Sequence, residues 1–152
     1  MMNKWDKRFI SLAKEISTWS KDPSTQVAAI AVKDKRVIAT GYNGLPKKIT
    51  DSKKLLLDRE KKLANTVHAE MNMIYNAVNH GVSLDGATVY VWGLPVCCDC
   101  WKGLVQCNVS RVVMPAVEYG GRWKEGCIFA KKRMSAAGIN TTEYSIDNFP
   151  NL

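Results

Sequence analysis

Residues 87–115 read ATVYVWGLPVCCDCWKGLVQCNVSRVVMP, and the order of elements within them decides the fold. Ala87–Trp92 is a run of β-branched and aromatic residues that predicts a strand, and Ser110–Pro115 (SRVVMP) predicts another. Between them, Cys98 to about Gln106 is helix-compatible. Two strands joined through a helix belong side by side in one sheet, with a right-handed crossover.

The flanking sequence extends this unit at both ends. Phe9, Leu12, Ala13, Ile16 and Trp19 recur at helical spacing and predict a first helix ending before SKDPST (20–25). QVAAIAV (26–32) and RVIAT (36–40) are apolar runs separated by the polar KDK (33–35), the pattern of a hairpin. GYNGLP (41–46) is turn chemistry that closes the second strand. Thr50–Thr66 is charged and helix-compatible, and reads as an exposed insertion. VHAEMNMIYNAV (67–78) predicts a helix whose end at NHG suits a Gly81 cap. Downstream, Trp123, Cys127, Ala130, Met134 and Ala137 mark a longer helix closed by Gly138, and INTTEYS (139–145) predicts a last strand. Trp19, Trp92 and Trp101 read as core, and His80 as a helix-end residue without chemistry. The order α-β-β-α-β-α-β-α-β predicts a three-layer α/β/α fold on a mixed five-stranded sheet, with no repeat or linker.

Composition narrows the class. At 152 residues, 46% hydrophobic and 24% charged, the chain is expected to form one domain, residues 1–152, with an ordinary core. No apolar run approaches the ~20 residues of a membrane span. The N-terminus MMNKWDKRFISLAKE is too charged for a secretory signal, so a cytoplasmic location is expected. Five cysteines, three of them in CCDC, point in such a compartment to metal or redox chemistry rather than a disulfide framework. The net charge of +8 fits either an anionic partner or a solvated lysine-rich surface.

The chemistry converges on two helix starts. Glu70 shares a stripe with Met73, Ile74, Ala77 and Gly81, so its carboxylate faces the core or a cleft, where burial raises its pKa. Pairing with a lysine or a backbone donor would explain it equally well. Cys97 and Cys100 form a C-x-x-C at the start of the next helix, where both thiolates can face one cation. That motif serves redox, structural-zinc and catalytic-zinc sites alike. With His68, the obvious ligands number three, and three ligands plus an open position is the catalytic pattern. H-x-E followed by P-C-x-x-C marks zinc nucleobase deaminases, the glutamate being no ligand. Here Pro95 stands one residue early and Val96 precedes Cys97, a departure that affects the local loop.

The chain resembles the deoxycytidylate (dCMP) deaminases of the cytidine-deaminase-like superfamily. The resemblance spans roughly Trp5–Tyr144 and rests on WDKRFISLA, SKDPSTQVAAIAV, ATGYNGLP, VHAEMNMI, LDGATVYV and CCDCWKGLVQCNVSRVV. HAE and C-x-x-C identify the superfamily; SKDPSTQV with GYNGLP narrows it to the deoxycytidylate branch. The resemblance implies one catalytic Zn2+ held by His68, Cys97 and Cys100, with Glu70 shuttling protons. It implies hydrolysis of dCMP to dUMP and ammonia, which supplies dUMP for thymidylate synthesis. It also implies a homo-oligomer, often a hexamer, activated by dCTP and inhibited by dTTP, with Mg2+ accompanying the effector triphosphate.

A substrate pocket drawn from the SKDPST and GYNG loops follows from the same resemblance. Ser24, Thr25 and Asn43 are its candidates, although asparagine also suits a YNG turn by tolerating a left-handed backbone. Phosphate requires basic or hydroxyl groups, for which Lys21 and Arg122 are the cationic candidates; a solvated surface charge is the alternative for both. Tyr119, before a helix, reads as a packing residue. Three other functions stay open on the residues alone: deamination of a base in tRNA or single-stranded DNA, a closed zinc module completed by Glu70 or Cys98, and an inactive allosteric relative. The turn-bounded loops favour a small nucleotide over a polynucleotide, and the intact ligand and shuttle set argues against inactivity.

Overall fold

The computed structural model describes residues 2–150. Helix α1 (Lys4–Ser17) opens with a capping box: the Asn3 side chain accepts from the backbone of Trp5 and Asp6, and the Asp6 carboxylate accepts from Asn3 N–H. The hairpin β1 (Ala28–Lys33) and β2 (Arg36–Tyr42) follows. Its turn residues Asp34 and Lys35 both have positive φ, 50° and 61°, as a tight two-residue hairpin connection requires.

Two short helices, α2 (Lys53–Leu57) and α3 (Arg59–Asn65), occupy the segment before α4 (Ala69–Asn79). Then come β3 (Thr88–Trp92), α5 (Trp101–Gln106), β4 (Arg111–Pro115), a 3₁₀ stretch over Val117–Trp123 kinked at Gly121, α6 (Lys124–Ala136) and β5 (Asn140–Tyr144). The sheet order is β2-β1-β3-β4-β5. β1 pairs antiparallel with both neighbours, while β3, β4 and β5 run parallel, so the sheet is mixed as the element order predicted.

Both faces of the sheet are covered, and the strands read accordingly. Ala28, Ile30 and Val32 turn to one face, where Phe9, Ile10, Ala13 and Ile16 of α1 pack with Tyr90, Val113 and Tyr144. Ala29, Ala31, Val89, Val91, Val112 and Met114 turn to the other, against Met73, Ile74, Ala77, Leu104, Cys127 and Met134 from α4, α5 and α6. Each fully buried aliphatic side chain there contributes about 1.5–3 kcal/mol. The apolar runs of β1, β3 and β4 are what a sheet buried on both sides demands.

Two details seat α4 on the sheet. A Cβ on Gly41 of β2 would lie 2.3 Å from Met73 N and 2.5 Å from Ala69 O, so only glycine permits this approach. Asn72 and Asn76 of α4 then donate from Nδ2 to the carbonyls of Tyr42 and Thr40, at 2.8 and 2.7 Å.

Several sequence expectations are corrected. Trp19 is 57% exposed rather than core, because α1 ends at Ser17 and the helical phase that placed Trp19 inward stops with it. Trp92 and Trp101 are half-buried. The helix expected from Cys98 begins at Trp101, since Cys98–Cys100 form a turn over which the Cys97 carbonyl accepts from Cys100 and Trp101. Trp123 and Ala137 flank α6 and are exposed, whereas Gly138 does close it with φ 89°. The 50–66 segment is largely exposed as expected, except that Lys62 is buried. No helix among the described residues is long and apolar enough to cross a membrane.

Candidate active site

The site forms at one end of the sheet, where β2 and β3 finish and β1 begins. Ala28 pairs there with both Tyr42 and Trp92. The chain leaving β2 makes an isolated bridge, Gly44 to Val67, which sets the next residue, His68, at the N-cap of α4. The chain leaving β3 turns at Gly93, where a Cβ would meet Gln26 O at 2.5 Å and where φ is 107°, then delivers Cys97 and Cys100 before α5. The crossover unit thus brings both helix starts to a common point.

His68, Glu70, Cys97 and Cys100 gather with their ligand atoms all within 4.8 Å of one another. His68 Nδ1 lies 3.3 Å from Cys100 Sγ and 3.4 Å from Cys97 Sγ, and the two sulfurs are 3.6 Å apart. Tetrahedral zinc, with Zn–S near 2.3 Å and Zn–N near 2.0–2.1 Å, requires N–S and S–S edges of about 3.5 and about 3.8 Å. The triangle therefore fits this ion within a few tenths of an ångström. Cys98 is exposed and stands outside the cluster, so it is not in place to close the set.

The electrostatics agree with a shared cation. The Cys97 thiol is drawn down to about 4, chiefly by its hydrogen bond with Cys100 and, against burial, by His68. Hydrogen bonding to Cys97 raises His68 to about 9 despite burial, and hydrogen bonding plus burial pushes Cys100 up. Two thiols and an imidazole crowded this closely hold one another's protons, which a divalent ion would displace. Glu70, 4% exposed, is raised to about 7, first by burial and then by the charge of Cys97. A carboxylate poised there can take and return a proton near neutral pH.

The other sequence candidates lie on the loops around this end. Asn43 is buried, and its φ is negative, so the left-handed-turn explanation does not apply. Its side chain clamps the preceding loop instead: Oδ1 accepts from Val27 N–H and Nδ2 donates to Thr25 O, both at 2.9 Å. Ser24 and Thr25 are exposed, with their backbone N–H groups donating to Asp22 Oδ1. Lys21 is exposed and paired with Asp51 at 2.7 Å. Arg122 is exposed in the 3₁₀ stretch just ahead of α6. Tyr119 ties that stretch to the C-terminal segment through hydrogen bonds with Ser145 and Asp147. Lys62, which sequence reasoning passed over, is buried against Asp22 and Ser24. Nothing in its own charged segment distinguishes it from Lys61.

Residues 3–116 match the model of the cytidine and deoxycytidylate deaminase zinc-binding region. The chain belongs to this family. An uncharacterized deaminase from the luxG 3′ region of Aliivibrio fischeri is 36% identical over 149 residues, covering 97% of this chain and 98% of that protein. A probable deoxycytidylate deaminase of Drosophila melanogaster is 31% identical, covering 96% and 79% respectively. Among solved structures, the dCMP deaminase of cyanophage S-TIM5 in complex with dCMP and dUMP superposes with a TM-score of 0.76 at 21% identity, over 95% of this chain and 99% of that one. This likeness establishes the cytidine-deaminase-like fold. The chain is accordingly a hydrolytic deaminase of a zinc-binding family.

Proposed function

We propose that residues 1–152 act as a single domain that hydrolyses dCMP to dUMP and ammonia, with His68, Cys97 and Cys100 holding one zinc ion and Glu70 carrying the protons. The observation that carries this is the buried Glu70 carboxylate beside a His–Cys–Cys triangle of zinc dimensions. Relatives named as deoxycytidylate deaminases support the choice of nucleotide.

Bound zinc would supply a water acidified to a pKa of about 7, hence a nucleophile at neutral pH. Glu70 Oε would take the proton of the attacking water, C4 of the cytosine ring being the position attacked. The same oxygen delivers that proton to ring N3, then takes the proton of the new C4 hydroxyl and passes it to the C4 amino nitrogen, which leaves as ammonia as the C4 carbonyl forms. A raised pKa lets one group perform both transfers. Glu70 is nearly enclosed, so bulk water has little access to the proton it carries between steps.

Ser24, Thr25, Lys21, Asn43 and Arg122 are the proposed substrate contacts. The exposed hydroxyls and ammonium of the Lys21–Thr25 loop have the chemistry that grips a phosphate. Homo-oligomeric assembly and opposing responses to dCTP and dTTP belong to the same proposal, by family resemblance. The deciding experiment is ammonia release from dCMP, dCTP, cytidine and deoxycytidine, each with and without dCTP or dTTP. dCMP should be preferred; equal rates on all four would refute the substrate. Glu70→Gln should keep stoichiometric zinc and lose turnover by about 10²–10⁴-fold, and a near wild-type rate would remove Glu70 from the mechanism.

A further inference from the structure

Lys62 sits where a lysine is costly. Its side chain is 6% exposed, and its Nζ donates to Asp22 Oδ1 and to Ser24 Oγ, both at 3.1 Å. Asp22 is itself nearly enclosed, at 10% exposure. A buried Lys–Asp pair returns little net stability over apolar residues of the same size. The loop it braces is otherwise exposed through Ser24, Thr25 and Gln26, so no core is served by the pair.

Its place in the fold is more telling. Lys62 lies on α3, and its carbonyl accepts from both Thr66 N–H and Thr66 Oγ1, which fixes the chain running into Val67 and His68. Val67 is bridged to Gly44, next to Asn43, and Asn43 clamps Thr25 and Val27. Ser20 Oγ donates to Asn43 O, and Gln26 Nε2 donates to Ser20 O. Asp22 and Ser24 then return to Lys62. Three segments far apart in sequence close a ring of hydrogen bonds beside the His68 end of the site. Lys62 is the link that the 50–66 segment contributes.

We propose that Lys62 is a positioning residue, holding the Asp22–Thr25 loop in the shape that receives the 5′-phosphate of the nucleotide. This rests on the function proposed above. Lys62 does not reach the ring being deaminated; it acts through Asp22 and Ser24. Without it, Asp22 loses its cation and the Ser24 hydroxyl loses the donor that fixes it. Selectivity for a phosphorylated substrate should fall while chemistry at the base continues.

The test compares wild type, Lys62→Met and Lys62→Arg on dCMP and on deoxycytidine, with zinc content measured for each. Lys62→Met should raise KM for dCMP by about tenfold or more with kcat within about threefold of wild type, and leave kcat/KM for deoxycytidine within about twofold. Zinc should stay stoichiometric, and Lys62→Arg should recover most of the dCMP affinity. An unchanged KM for dCMP in Lys62→Met overturns the assignment, and so does an equal loss on both substrates, which would mark a purely structural lysine. Should Lys62→Met fail to fold, Lys62→Gln, which keeps an N–H donor for Asp22, carries the same comparison. Wild type inert on dCMP defeats the function proposed above and this inference with it. Wild type active on dCMP with an indifferent Lys62 defeats this inference alone.

Discussion

Replacing Gly41 by alanine tests how closely the sheet and α4 depend on one another. The added Cβ would stand 2.3 Å from Met73 N, 2.5 Å from Ala69 O and 2.8 Å from the Asn72 carbonyl carbon. Ordinary carbon contacts lie near 3.5–4.0 Å, so α4 must withdraw by about 1 Å. All three obstacles are backbone atoms and cannot rotate away. Overpacking of this kind costs about 1–3 kcal/mol, and the upper end applies here. For a domain of this size that corresponds to a Tm drop of about 6–12 °C. The larger effect should be catalytic. His68 caps α4 and Glu70 lies in its first turn, whereas Cys97 and Cys100 arrive from β3, so withdrawal separates the two halves of the site. A misplacement of about 1 Å costs about 10²-fold in rate. Thermal unfolding, zinc stoichiometry and ammonia release from dCMP on the purified variant measure all three. A Gly41→Ala protein that melts within about 2 °C of wild type and turns over within about threefold of it would refute the reasoning.

Asp6 accepts from Tyr90 Oη at 2.7 Å and from both terminal nitrogens of Arg111 at 2.8 and 3.0 Å. Asp6→Ala should therefore destabilise the fold by about 3 kcal/mol, the low end for a broken buried pair because Arg111 keeps some solvent contact; a melting curve unchanged from wild type would contradict this. Against burial, its bonds to Arg111, Asn3 and Tyr90 depress the Asp6 carboxyl from 3.8 to about 2. The stabilisation is thus complete above the unfolded value and is lost as pH falls through about 2, worth about 2 kcal/mol; the stability gap between wild type and Asp6→Ala, read by chemical denaturation, should narrow between pH 6 and pH 2.5 without closing. Chelation should abolish ammonia release, Zn2+ should restore it, and a thiol reagent should modify Cys97 faster in the chelated protein than before. Unchanged Cys97 reactivity would argue that it is not a ligand.

The fold was legible because its strands advertise themselves. Burial on both faces forces β1, β3 and β4 into apolar, β-branched runs, and the KDK and NHG breaks mark a hairpin and a helix end through local chemistry alone. The gathering of His68, Glu70, Cys97 and Cys100 was legible because spacing in H-x-E and C-x-x-C reports geometry within a turn or two. What stayed hidden depends on partners distant in sequence. Asn43 reads as a substrate contact or a turn residue, yet its side-chain bonds go to Thr25 and Val27, 18 and 16 residues away. Lys62 reads as one more lysine in DREKKLAN because its carboxylate partner is 40 residues upstream. Trp19 was misplaced for a simpler reason: periodicity extends a helix past the point where its backbone stops.

The two asparagines of α4 have a consequence for assembly. β2 lies at the margin of the sheet, and its outward carbonyls at Thr40 and Tyr42 are already occupied by Asn76 and Asn72. A strand from a second molecule arriving there would have to evict both amides before it could begin to pair. On this side the sheet ends with its own chain, and any association that uses this flank must be made by side chains packing, not by continuing the ladder.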